Sequence, residues 1–281
     1  MWWILVIILP VAIVLWLLYE WMEHSLIQYK STVVELQEMP KNKELKICLI
    51  TDLHNNKKNL SKIGKKLKEF HPEFILLAGD MVDKHKTCNR NTEQFMKAIS
   101  LLRIPVYYSA GNHELSMQEN YPEIWEAYKT GLPENVLYLE NETVVSASDD
   151  TLFISGLSLP MPFYQKGSLY NKPEELPDFD VPETGMHIMM AHNPEYVELY
   201  TKYRADLIVS GHLHGGLLRL PFIGGVVSPR LRLPKVCDAG LMKLNNNSSL
   251  FVSRGLGSHT IPLRFFNRVE INFLVLKGTK E

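Results

Sequence analysis

The sequence reads as an α/β protein built from parallel crossover units behind one N-terminal apolar helix. Short β-branched apolar runs alternate with helix-period segments through the first half, the rhythm of βαβ units. Five of the apolar runs end on Asp, Asn or His, most of them beside glycine. The chain opens on an uncharged apolar stretch of bilayer-spanning length.

That stretch, Met1–Tyr19, reads MWWILVIILPVAIVLWLLY. It approaches the ~20 residues that cross a bilayer as a helix. Trp2, Trp3, Trp16, Tyr19 and Trp21 cluster at its ends, where aromatic rings favour the interface. Pro10 is a kink of the kind bilayer helices tolerate. A cleaved leader, the alternative, calls for a basic residue before the run and small residues after it, and neither is present. The expected organisation is a transmembrane anchor at 1–21, a polar connector at 22–44 and one body at 45–281. The expected localisation is a membrane, by a single pass. Lys30, Lys41, Lys43 and Lys46 lean toward a cytoplasmic body but are too few to settle its side.

In the body, strands are expected at 46–51, 74–78, 106–110, 152–155, 187–191, 207–210, 250–253 and 269–276. Helices are expected at 60–70, 92–102, 121–129 and 194–203. Residues 159–182, rich in Pro and aromatics, read as a long loop. Apolar residues are 46% of the 281, enough for a buried core. A net charge of -1 without a basic stripe argues against a nucleic-acid partner. Three cysteines without a CxxC argue against a disulfide framework or a structural zinc site.

The chemistry sits where the strands end, the edge at which open α/β sheets bind ligands. The run 47–51 leads into Asp52 and His54, and 74–78 into Gly79, Asp80 and Asp83. The run 106–110 leads into Gly111, Asn112, His113 and Glu114. His192 follows 187–191, and Gly211, His212 and His214 follow 207–210. Five of the ten histidines fall in these few short segments. Imidazole, carboxylate and amide donors without thiolate suit hard or borderline divalent cations. The set exceeds what one tetrahedral ion needs and suits a pair ~3.5–4 Å apart. Each fragment alone could be a turn or a helix cap; all five in this order call for a site.

The blocks D-x-H, G-D-x-x-D, G-N-H-E, H and G-H-x-H, from Asp52 to His214, resemble the calcineurin-like metallophosphoesterase superfamily. The resemblance runs from about Leu45 to the C-terminus. GHLHGGLLRLPFIGG at 211–225 and SRGLG at 253–257 are similar to its bacterial membrane-associated YkuE/YaeI-like phosphodiesterase branch. The resemblance implies a four-layer α/β/β/α sandwich. It implies that Asp52, His54 and His214 hold one metal, that Asn112, His192 and His212 hold a second, and that Asp80 bridges them. It implies that His113 is the proton donor to the leaving oxygen, oriented by Asp83. Lys84 departs from the Arg that some members carry there for phosphate.

The cofactors expected are two divalent ions, with Mn, Fe, Zn, Ni and Co all suited to such ligands. The expected reaction is hydrolysis of a phosphodiester or pyrophosphate by hydroxide formed between the ions, on a lipid- or envelope-linked substrate. Expected partners are the lipid bilayer and that phosphate ester. Arg219, Arg254 and Arg264 are candidate phosphate contacts, with structural roles as the alternative. The apolar segment Leu217–Ile223 is a candidate lip for lipid, or an ordinary buried strand. Two further readings stand beside this one: a non-catalytic scaffold that keeps the fold, and a nucleotide or cyclic-nucleotide phosphodiesterase.

Overall fold

Strands buried on both faces read as unbroken apolar runs, and FILLA at 74–78 is one, with every residue buried. The computed structural model describes residues 2–165, 176–216, 218–220, 224–227, 237–245, 247–257 and 264–279. The first half contains α1 (Trp2–Ser25), β1 (Gln28–Leu36), β2 (Glu44–Ile50), α2 (Leu60–Phe70), β3 (Phe74–Ala78), α3 (Arg90–Ser100) and β4 (Val106–Ser109). Then come α4 (Asn112–Asn120), α5 (Pro122–Thr130), β5 (Val136–Leu139), β6 (Glu142–Ser146) and β7 (Asp149–Leu157). A 3₁₀ turn at Met161–Tyr164 precedes β8 (Met186–Ala191), and a 3₁₀ segment at Pro194–Tyr203 precedes β9 (Leu207–Ser210). The short pair β10 (Leu218–Leu220) and β11 (Gly224–Val227) leads to β12 (Gly240–Lys243), β13 (Ser249–Val252) and β14 (Glu270–Gly278).

Two six-stranded sheets form, in the orders β1-β14-β2-β3-β4-β5 and β12-β13-β9-β8-β7-β6. Strands β2 to β5 are mutually parallel, as are β7, β8, β9 and β13. Between the sheets lies a core of Ile47, Leu49, Leu76 and Tyr107 from one and Ile154, Ile188, Met190 and Val209 from the other. The opposite face of the first sheet packs Ile75, Leu77 and Tyr108 against α2 and α3. Helix α2 presents Ile63 and Leu67, and α3 presents Phe95, Met96 and Ile99, at helical spacing on one face. The outer face of the second sheet packs Met189 and Ile208 against Phe163, Tyr200 and Tyr203. This is the expected four-layer sandwich, with 3₁₀ structure in the fourth layer. Asn193 caps Pro194–Tyr203, and Tyr196 leaves helical geometry at φ −109, ψ 19, so the expected helix is a broken 3₁₀ run.

All eight expected strands form. The segment expected as a connector instead carries the end of α1 and then β1, which pairs in parallel with β14. Only Val34 and Leu36 of β1 are buried, the weak pattern of an edge strand. The expected loop 159–182 contains the 3₁₀ turn, and its residues 166–175 lie outside the described ones. Helix α1 is long and apolar enough to cross a membrane by length and composition.

Candidate metal centre

Both sheets aim the C-terminal ends of their parallel strands at one place. From the first sheet, β2 delivers Asp52 and His54, β3 delivers Asp80, and β4 delivers Asn112 and His113. From the second, β8 delivers His192, and β9 delivers His212 and His214. Main-chain bonds stitch the loops together: Asp52 N–H to Gly79 O at 3.0 Å, His54 N–H to Asp80 O at 3.0 Å, and Gly211 N–H to His192 O at 3.1 Å.

The backbone here is unusual. Asp52, His54, Asp80, His212 and His214 all have φ between 48° and 69°. Side chains other than glycine rarely adopt that region, and such strain collects at functional sites. The left-handed turns tip successive side chains inward instead of alternating them. Glycine makes room for that. A Cβ on Gly79, at φ 88°, lies 2.5 Å from His192 Nδ1, and one on Gly211 lies 2.3 Å from Asp52 Oδ2.

The donor atoms converge in three overlapping groups, of which His54, Asp80 and His113 form the one between the other two. The outer groups are Asp52, His54 and His214, and Asp80, His192 and His212, each with its donor atoms within 4.8 Å of one another. His54 Nε2 and His214 Nε2 are 3.3 Å apart, and His214 Nε2 is 3.5 Å from Asp52 Oδ1. Asp80 Oδ2 lies 3.2 Å from His192 Nε2, 3.8 Å from His54 Nε2 and 3.9 Å from His113 Nε2, between the groups. Donors bound to one ion at ~2.1 Å stand roughly 3–3.5 Å apart, so these spacings suit shared cations. The buried atom Asn112 Oδ1 has no hydrogen-bond partner. Such atoms carry a desolvation cost unless something else engages them. The residues present therefore fit a two-metal centre. Above them opens a cavity of about 310 Å³, lined by His54, Asp80, Asp83, His85, Lys86, Asn112, His113, His212 and His214, among others.

The hydrogen bonds also assign tautomers. His192 Nδ1 donates to Ala78 O at 2.8 Å, which turns Nε2 toward Asp80. Lys84 N–H donates to His113 Nδ1 at 3.1 Å, which keeps the His113 proton on Nε2. His54 Nδ1 lies 3.3 Å from His113 Nδ1. Burial opposes the charge on Asp52 and, against nearby His192, pushes its carboxyl up to about 6. Burial also opposes the charge on Asp80, but His192, His113 and His54 hold it well below the usual range. Burial alone lowers the imidazolium of His192, yet Asp80 and Asp52 beside it raise it to about 10.

The profile of calcineurin-like phosphoesterases matches residues 45–216. The chain belongs to that family. It is a phosphoester hydrolase. It is 29% identical over 229 residues to metallophosphoesterase YkuE of Bacillus subtilis, covering 76% of this chain and 71% of the relative. It is 29% identical over 266 residues to metallophosphoesterase Cj0846 of Campylobacter jejuni, covering 90% of this chain and 64% of the relative. A transmembrane protein with metallophosphoesterase domain from Danio rerio is 22% identical, over 87% of this chain and 56% of the relative. The phosphoesterase thus spans less than two thirds of the length of the latter two.

The support of the phosphoesterase centre was less visible in sequence. Glu114, fully buried, accepts from the N–H groups of Asp80 (2.8 Å), Met81 (2.7 Å), Val82 (3.1 Å) and Gly111 (2.8 Å), and from Tyr108 Oη (2.7 Å). One carboxylate therefore clasps the Asp80 loop to the start of α4. Its place three residues into a helix was the available signal, since such a Glu reaches back to the cap. Tyr164, in the stretch read as loop, sets its ring 5.3 Å from that of His212 and 6.2 Å from that of His192.

The expected contact between Asp83 and His113 is absent among the described residues. The Asp83 carboxylate turns along its own loop, to His85 N–H at 3.0 Å and Lys86 Nζ at 3.3 Å, and the backbone of Lys84 holds His113 instead. The three arginines take structural roles. Arg219 pairs with Asp238 at 2.7 Å, and Arg254 with Glu270 at 2.6 Å. Arg264, 2% exposed, donates to the carbonyls of Gly257, Arg254 and Asn267 and backs His214 Nδ1 at 3.3 Å. Of the expected lip 217–223, residues 218–220 are β10 and the others lie outside the described residues.

Proposed function

We propose that this phosphoesterase binds two divalent cations and hydrolyses a phosphodiester or pyrophosphate bond in a substrate at a membrane, with α1 as its anchor. The observation that carries the reading is Asp80, whose Oδ2 lies between the two donor groups with three imidazoles within 3.9 Å. Asp52, His54 and His214 would hold one ion and Asn112, His192 and His212 the other. When bound, such ions supply an activated water and positive charge facing the phosphoryl oxygens. His113 keeps its proton at Nε2 and donates a hydrogen bond toward the leaving oxygen. Lys84 N–H fixes that tautomer. Glu114 and Arg264 hold the ligand loops so that little reorganisation is left for the reaction.

The test is hydrolysis of bis-p-nitrophenyl phosphate by the Mn-loaded chain. His113→Ala is expected to lower kcat roughly 10²–10⁴-fold while the metal content stays full. Undiminished turnover in that variant would remove His113 from the mechanism. A Mn-loaded wild-type chain with no turnover would sink the reading.

A further inference from the structure

We infer that the substrate is an amphiphilic phosphate ester resident in the bilayer, because the anchor leaves the body at the edge that holds the metal centre. The inference rests on the phosphodiesterase reading above and names its substrate class.

Strand register places the anchor. β1 begins at Gln28, opposite Glu270, the first residue of β14. β14 runs antiparallel to β2, with Asn272 opposite Leu49. The start of β14 therefore lies beside the end of β2, from which Asp52 and His54 emerge, and the start of β1 lies one strand further out. Helix α1 ends at Ser25, so its end is at most ~10 Å of chain from that edge.

Its last two turns are fastened there. Glu20 Oε2 accepts from Arg264 N–H at 3.1 Å, and Glu23 pairs with Arg268 at 3.3 Å. Glu23 O accepts from Val269 N–H at 3.0 Å, and His24 O from Lys58 Nζ at 3.0 Å. The Tyr19 ring packs 5.8 Å from Phe265 and 6.0 Å from Phe266. Glu20 and Glu23 are 8% and 5% exposed, so this is a packed joint. Arg264 serves both sides of it, holding the anchor through its N–H and His214 through its guanidinium.

Beyond the joint the helix stands clear of the body. Every residue from Ile7 to Leu18 is exposed, and all but Pro10 and Ala12 are large apolar side chains. A helix apolar all round needs an apolar surround, and the described residues of the body provide none. Lipid is the occupant that fits: the run has spanning length, with Trp16, Tyr19 and Trp21 at its body end, where aromatic rings meet headgroups. The roughly two turns from Leu18 to Ser25 rise about 10 Å, little more than the ~5–8 Å interfacial layer. The metal centre then lies at headgroup height, where a lipid-borne phosphate reaches it without leaving the membrane.

The full chain in phosphatidylcholine vesicles, loaded with Mn, tests this with two esters of equal reactivity. n-Hexadecyl p-nitrophenyl phosphate resides in the bilayer, and methyl p-nitrophenyl phosphate stays in water. Confinement to the membrane raises effective concentration, so the hexadecyl ester is expected to turn over at least ~10-fold faster at equal bulk concentration. A polar helical Glu/Lys/Ala spacer of about two turns between Leu18 and Tyr19 lifts the body by ~10 Å and keeps the joint in phase. It is expected to erase the preference while the methyl-ester rate stays unchanged. No preference in the wild-type chain, or a preference that survives the spacer, overturns the inference. Failure on both esters overturns the phosphodiesterase reading beneath it.

Discussion

Glu114 shows how one side chain decides whether a ligand set works as a unit. Its two oxygens take five donors from the Asp80 loop, the start of α4 and β4, all away from water. Alanine there leaves four amides and a phenol without an acceptor. The expected cost is at least ~3 kcal/mol, since buried donors that lose a charged partner pay their full desolvation. Chemical denaturation should show that loss, and metal analysis should show Glu114→Ala and Glu114→Gln binding Mn more weakly than the wild-type chain. Normal stability and a full metal complement in both would mean that the loops hold themselves. The clustered donors themselves were legible, because each directly follows an apolar run at a strand end. Glu114 was not, because its donors come from three separate segments. Asp83 misled for a different reason: its direction is set locally, by His85 and Lys86 within its own loop.

At the scale of elements, β8 is tied to its neighbours by a buried histidine outside the metal centre. His187 Nδ1 donates to Tyr203 O at 3.1 Å, and Nε2 accepts from Ser155 Oγ of β7 at 2.7 Å, so the ring is held neutral. Burial, only partly offset by the Tyr203 carbonyl, lowers His187 from 6.5 to about 4. The folded protein keeps the ring neutral while the unfolded chain takes up a proton below 6.5. The stability His187 contributes is therefore complete above pH 6.5 and lost as pH falls from 6.5 toward 4. The loss reaches at most ~3 kcal/mol. Urea denaturation across that range should show a shallower fall for His187→Gln, which keeps one donor and one acceptor but does not titrate. Parallel pH curves for the two proteins would show that other groups set the slope. Element legibility followed the same physics. Strands β2, β3, β8 and β9 are buried on both faces and announce themselves, whereas β1 shields only two side chains. The 3₁₀ segment at Pro194–Tyr203 keeps a helix-like apolar pattern because its aromatics must cover the second sheet, which periodicity cannot tell from an α-helix.

For the whole molecule, the centre joins two sheets that touch elsewhere mainly through their shared apolar core. Cations that bind the folded chain and not the unfolded one stabilise it by RT ln(1 + [L]/Kd), about 2.7 kcal/mol at a hundredfold excess over Kd. Chelation is expected to lower the Tm and Mn to restore it. Asp80→Ala, which removes the carboxylate between the two groups, should blunt the response. An unchanged Tm on chelation would mean that the donor groups hold no tightly bound ion. By itself the sequence determined the α/β class, the family, the apolar N-terminal helix and the Asp, Asn and His residues that gather at the strand ends. Each rests on a local rule, either burial periodicity along a strand or the residue type at a strand end. Only the tertiary structure decided which residues support the clustered donors, that Lys84 rather than Asp83 holds His113, and that helix α1 meets the body near the end of β2. Those relations join segments up to 247 residues apart, as between Tyr19 and Phe266. Contacts across such separations depend on strand register and loop direction, which neighbouring residues in the sequence do not encode.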